Sequence, residues 1–211
     1  MPLPFVIGID LDNTLVCYDR LFHLAACEEG LIEPSVPGNK EQIKQAIRLL
    51  PDGERLWTRL QVIVYGPRIQ AATLFDGADV FLRHCAGFRI PLKIVSHKTR
   101  FALLDGRRVD LRQSALELLE AKGLFSDFGL SRDDVFFECT RAEKIQRIGA
   151  LGCTHFIDDL AQVFTRDDFP PETRKLLFAP HGAPLGGSGA PPLTFASWRE
   201  LERYFFDDPR P

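Results

Sequence analysis

The stretch Phe5-Val6-Ile7-Gly8-Ile9-Asp10-Leu11-Asp12-Asn13-Thr14-Leu15 decides the fold. A short, mostly apolar run bounded by polar residues reads as a buried β-strand. Carboxylates just past its carboxyl end stand where open α/β sheets bind ligands. Asp10 and Asp12, one residue apart, can approach a common point if the chain turns there, and a cation between them relieves their repulsion. Hard oxygen ligands of this kind suit Mg²⁺. Asp-x-Asp-Asn is equally good turn and helix-cap chemistry, so the rest of the chain has to decide.

Length and composition bound the answer. The chain has 211 residues, 45% of them hydrophobic, enough for a real core in one large domain or a domain with a modest insertion. Lys and Arg number 26 against 29 Asp and Glu, a formal net charge of -3, which disfavours nucleic acid as the main partner. No apolar run approaches the roughly 20 residues of a membrane span, and Met1-Pro2-Leu3-Pro4 carries no basic leader, so no membrane is expected and a cytoplasmic protein is. Cys17, Cys27, Cys85, Cys139 and Cys153 are widely spaced and contain no Cys-x-x-Cys, which argues for reduced thiols, mostly in the core.

Further apolar, β-rich runs occur at 92–95, 135–137, 155–157 and 176–178. Helical patterns lie between them, one after Asp76-Gly77 and another through Ala115, Leu116, Leu118 and Leu119 before Gly123. The alternation predicts an α/β fold with a doubly wound, mainly parallel sheet. Residues 18–73 interrupt it with helical periodicity and the ambiguous Gln61-Val62-Ile63-Val64-Tyr65, and are expected to be a small helical insertion. The core is then 1–17 and 74–211. Residues 179–192 are rich in Gly and Pro and read as a loop, and Ser197-Trp198-Arg199-Glu200 opens a last helix.

The other strand ends also carry polar chemistry. Ser96-His97-Lys98-Thr99 follows the strand at 92–95, where a hydroxyl and backbone N–H groups can hold a phosphate oxygen. Thr140 and Glu143 have capping-box spacing and put Arg141 and Lys144 in a first helical turn, where the helix dipole disfavours cations and something negative should compensate. Asp158-Asp159 ends the strand at 155–157 and, with the first pair, completes an oxygen cage. Asp133-Asp134 precedes a strand instead and reads as a solvated turn.

In this order and context, Asp10-Leu11-Asp12-Asn13-Thr14, Ser96, Lys144 and Asp158-Asp159 resemble the four motifs of the haloacid dehalogenase superfamily, with Asn13 where Gly is common. The resemblance implies a Rossmann-like core with a cap inserted after the first motif. It also implies a phosphoric monoester hydrolase in which Asp10 attacks phosphorus and forms an aspartyl-phosphate, while Asp12 acts as acid and base. Mg²⁺ would be held by Asp10, Asp12 through its backbone carbonyl, and the pair Asp158 and Asp159, with Asp159 favoured as the direct ligand. Ser96 and Lys144 would bind the phosphoryl oxygens, with Thr14 orienting the carboxylates and His97 grouped beside them as phosphate-binding candidates. Arg55, Tyr65, Arg68 and Lys98 are substrate candidates, and a lid of roughly 55 residues suits a small phosphorylated substrate better than a macromolecule. The same intermediate would serve a phosphomutase or phosphotransferase. A receiver-like signalling domain or a domain binding a phosphorylated ligand without turnover fits the motif order and the presence of Asp12 less well.

Overall fold

The computed structural model describes residues 5–182 and 191–207. Met1 to Pro4, which entered the reading of the N-terminus, and residues 183–190 of the Gly- and Pro-rich stretch lie outside the described residues.

In chain order the elements are β1 (Ile7–Ile9), β2 (Val16–Cys17), α1 (Asp19–Glu28), α2 (Lys40–Arg48), α3 (Gly53–Tyr65), β3 (Thr73–Leu74), α4 (Ala78–Gly87), β4 (Leu92–His97), β5 (Phe101–Leu104), β6 (Arg107–Asp110), α5 (Leu111–Ala121), β7 (Val135–Glu138), α6 (Arg141–Ala150), β8 (His155–Asp158), α7 (Ala161–Phe164), β9 (Arg174–Phe178), β10 (Leu193–Phe195) and α8 (Trp198–Phe206). Contacts divide them into two compact units, one of residues 1–16, 74–98 and 123–211, the other of 17–73 and 99–122.

The first unit is a six-stranded parallel sheet in the order β10-β9-β8-β1-β4-β7, flanked by helices. Its central strands β1 and β8 are buried on both faces, as in a parallel sheet covered on both sides. Val95, Phe156 and Leu177 pack with Ile145 and Ile148 of α6 and Val163 and Phe164 of α7. The side carrying Phe178 meets an aromatic group from α4 and α8, with Trp198 5.8 Å from Phe178 and 5.1 Å from Phe81 between ring centroids. β1 lies between β4 and β8 with Gly8 opposite Phe156, and a Cβ on Gly8 would stand 2.5 Å from the Phe156 ring. Only glycine lets the strand pass there.

The second unit holds α1, α2, α3, α5 and the β5–β6 hairpin. Residues 61–65, ambiguous in sequence, form the last turn of α3, where Val62, Ile63, Val64 and Tyr65 are all buried, so the helix is covered around most of its circumference there. Its core includes Trp57 stacked on Phe22 at 5.0 Å and Tyr65 edge-on to Tyr18 at 5.0 Å. The inserted part expected from sequence, 18–73, differs from this grouping in two respects: residue 17 and residues 99–122 also belong to the second unit. They fold back through the two-residue turn Asp105-Gly106, with φ of 50° and 75°, the positive values a tight hairpin requires. Leu111 then donates its N–H to Arg100 O at 2.8 Å.

Candidate active site

The site is built at the carboxyl edge of the central strands of the first unit. Asp10 N–H donates to Ile157 O at 2.9 Å, extending the β1–β8 ladder by one residue and fixing the backbone from which the Asp10 carboxylate projects. The chain then turns: Leu15 N–H and Val16 N–H both donate to Leu11 O, and Asn13 N–H donates to Val16 O. Asn13 takes a φ of 64°, a left-handed conformation that Asn tolerates, which accounts for its presence where Gly is common.

Lys144 supplies the cation between two strand ends. Its ammonium donates to Asp10 Oδ1 at 2.6 Å and Asp158 Oδ2 at 2.7 Å, with all three side chains buried. Burial pushes the Asp10 carboxyl up to about 7; Lys144 opposes the shift, and Asp158 and Asp12 add to it. For Lys144, burial disfavours the charge, but Asp10 and Asp158 outweigh it and hold the ammonium above its ordinary value. These two carboxylates are the negative groups that the first turn of α6 calls for. The turn is fixed by the expected capping box, in which Thr140 Oγ1 accepts from Glu143 N–H at 3.1 Å and Glu143 Oε2 accepts from Thr140 N–H at 2.8 Å.

Thr14 ties the first motif to the last. Its hydroxyl oxygen accepts from Asp159 N–H at 3.0 Å and lies 3.4 Å from Asp159 Oδ1 and 3.5 Å from Asp10 Oδ2. Its backbone carbonyl accepts from Trp198 Nε1–H at 3.0 Å. Asp158 Oδ1 accepts from Leu160 N–H at 2.9 Å, so both Asp158 oxygens have protein partners. Carboxylate oxygens of Asp10, Asp158 and Asp159 lie within 4.8 Å of one another, close enough to share one cation. Asp12 has one oxygen paired, with Lys98 Nζ at 2.6 Å, while its buried Oδ1 has no hydrogen-bond partner among the described residues. The set is all oxygen and acidic, which fits a hard divalent cation.

Ser96 is buried at the end of β4, as a group facing the same edge should be. His97, the next residue, points to the other side of the strand, is exposed, and donates from Nε2 to Cys139 O at 2.9 Å, so this nitrogen is committed to the loop after β7. Lys98, a substrate candidate by sequence, reaches Asp12 at 2.6 Å. The signal for this was present, because Lys98 stands two residues beyond Ser96. The remaining substrate candidates are engaged within the second unit: Arg55 pairs with Asp52 at 3.1 Å, Arg68 with Glu28, and Tyr65 is packed among Tyr18 and Phe22. Trp198 was missed, since its partner is 184 residues away and local pattern cannot pair them. Asp134 is more than a solvated turn, because it caps the turn at Ser131 and pairs with Lys93. None of the five cysteines forms a disulfide, and Cys85 and Cys153 are the two that are buried. Burial raises the thiols of Cys17, Cys85 (to about 12) and Cys153 (to about 11), which makes them poor nucleophiles.

No family model matches the chain, and no curated protein matches it. Solved structures do. A haloacid dehalogenase superfamily hydrolase from Ehrlichia chaffeensis matches over 98% of both chains at 16% identity and a TM-score of 0.56. The haloacid dehalogenase-type hydrolase YfnB of Bacillus subtilis, solved bound to magnesium, matches over 97% of this chain and 99% of its own at 15% identity and a TM-score of 0.55. A hydrolase of the same family from Deinococcus radiodurans R1, solved with phosphate and sodium, matches over 98% of this chain and 96% of its own at 17% identity and a TM-score of 0.53. The chain has the fold of the haloacid dehalogenase superfamily hydrolases.

Proposed function

We propose that this chain, built on the fold of those hydrolases, is a Mg²⁺-dependent phosphatase that hydrolyses a small phosphorylated metabolite through an aspartyl-phosphate on Asp10. The observation that carries the reading is the charge balance of the cluster. Four carboxylates, Asp10, Asp12, Asp158 and Asp159, face two ammonium groups, Lys98 and Lys144. With all four ionised, the deficit is that of one divalent cation. The magnesium in YfnB and the phosphate in the Deinococcus hydrolase support the same two ligands here.

Asp10, Asp159 and the backbone carbonyl of Asp12 would hold Mg²⁺, while Asp158, engaged by Lys144 and Leu160 N–H, would orient the lysine. The ion would supply positive charge between the Asp10 carboxylate and an anionic substrate. Asp10 attacks phosphorus as the bond to the leaving oxygen breaks, and Asp12, ionised in the substrate-free site and protonated once the anionic substrate enters, gives that oxygen its proton. Asp12 then takes a proton from the water that attacks the phosphoryl group, releasing phosphate and restoring Asp10. Lys144 and Ser96 hold the non-transferring oxygens. His97, bonded to Cys139 O, lies outside this set. Residues 18–73 serve as the cap that selects the substrate.

Release of inorganic phosphate from an aryl phosphate, then from a panel of sugar, nucleotide and organic-acid phosphates, tests the reading. Turnover that requires Mg²⁺ and is absent in Asp10→Asn is expected. Full activity in Asp10→Asn would sink the mechanism.

A further inference from the structure

We propose that Trp198, at the start of the C-terminal helix, is a positioning residue that acts through Thr14 to hold Asp10 and Asp159 at the spacing the site requires. Trp198 is fully buried and its indole N–H, a donor only, needs an acceptor. It finds one in Thr14 O at 3.0 Å. The turn around Thr14 spends its own amides elsewhere, since Leu15 N–H and Val16 N–H go to Leu11 O and Asn13 N–H to Val16 O, while Leu15 O accepts from Phe75 N–H.

Thr14 is therefore gripped from two directions. Its carbonyl is held by α8 and its hydroxyl meets Asp159 N–H, Asp159 Oδ1 and Asp10 Oδ2. A rotation of this residue moves both contacts to the carboxylates together. The anchor is packed on several sides: Trp198 packs against Phe81 and Phe178, Phe178 against Phe75, and Phe205 of the same helix against Phe81. Ser197 Oγ caps α8 by accepting from Glu200 N–H at 3.3 Å, and Glu200 accepts from Ala196 N–H at 2.7 Å. A helix outside the four motifs thus sets the position of a residue inside the first.

The role in catalysis rests on the function proposed above, whereas the grip on Thr14 does not, and two readouts separate them. In the full chain, Trp198→Phe keeps a buried ring and deletes the N–H. Phe81→Leu serves as a control that loosens the same packing and touches neither Thr14 nor the carboxylates. The first readout is exchange of the Asp159 amide, the proton donated to Thr14, which should quicken about tenfold in W198F relative to F81L. The second is the Mg²⁺ concentration giving half of the maximal thermal shift, which should rise about tenfold in W198F, with kcat falling and KM unchanged, the size expected for a group that orients metal ligands. If W198F does not fold, site-specific replacement of the indole by its benzothienyl isostere deletes the same N–H with less change of shape. Asp159 exchange within twofold of the control overturns the proposal. Altered exchange in a protein whose wild type shows no Mg²⁺ effect keeps the grip and overturns the proposed function instead.

Discussion

At the residue scale, Asp10 carries the most information. Its carboxyl is raised from 3.8 to about 7, chiefly by burial. A raised value in the folded state means that the protonated form is the better tolerated one. Its contribution to stability is therefore complete below 3.8 and is lost as pH rises through about 7. The metal-free protein should melt at a lower temperature at pH 8 than at pH 5, and Asp10→Asn should flatten that difference when both are scanned by calorimetry in a chelator. Lys144 is the complementary case. Replacing it by Ala leaves Asp10 and Asp158 buried without their shared cation, a loss of about 3–5 kcal/mol for a broken buried pair. Urea unfolding at neutral pH without metal would read that loss, and lowering the pH should recover part of it by protonating Asp10.

These two residues were legible in the sequence for a physical reason. Each stands directly behind a short apolar strand or a helix start, so local chemistry revealed its position. Tyr65 and Arg68 were not legible in the same way: aromatic and cationic residues suit a binding surface, a core or an internal ion pair alike. The structure resolves them as the Tyr18–Tyr65–Phe22 cluster and the Arg68–Glu28 pair.

At the scale of the element, α6 links local stability to chemistry. Thr140 closes its first turn and Lys144 projects from that turn. Thr140→Ala should cost about 1 kcal/mol of stability, as loss of an N-cap does. It should reduce turnover further by loosening the presentation of Lys144, measured as kcat at saturating aryl phosphate. The box was readable from Thr140 and Glu143 because capping depends on residues three apart. The β5–β6 hairpin was equally local, with Asp105-Gly106 as its turn, but flanking residues rich in Arg obscured the strands. Gly106 at φ of 75° makes the point testable: Gly106→Val places a branched side chain in the left-handed region and should destabilise the protein by about 1–2 kcal/mol in denaturant unfolding.

At the scale of the whole molecule, what the sequence could not reveal is which distant segments share a unit. Residues 99–122 hold a hairpin and a helix between two segments of the sheet unit, yet they group with residues 17–73. The parallel order β10-β9-β8-β1-β4-β7, by contrast, follows from strands alternating with helices, and it brings the ends of β1, β4 and β8 side by side. Their pooled acidic oxygens suit a divalent cation. Mg²⁺ should raise the melting temperature, and by more at pH 8 than at pH 5, because binding favours the ionised Asp10.

The central claim is that Asp10 becomes covalently phosphorylated during turnover. Rapid acid quench during hydrolysis of the best phosphate ester, followed by mass spectrometry of the peptide containing Asp10, tests it. That peptide should gain one phosphoryl group in the presence of substrate and Mg²⁺, and not in Asp10→Asn. Efficient turnover with no modification of Asp10, or with the phosphoryl group on another residue, would contradict it.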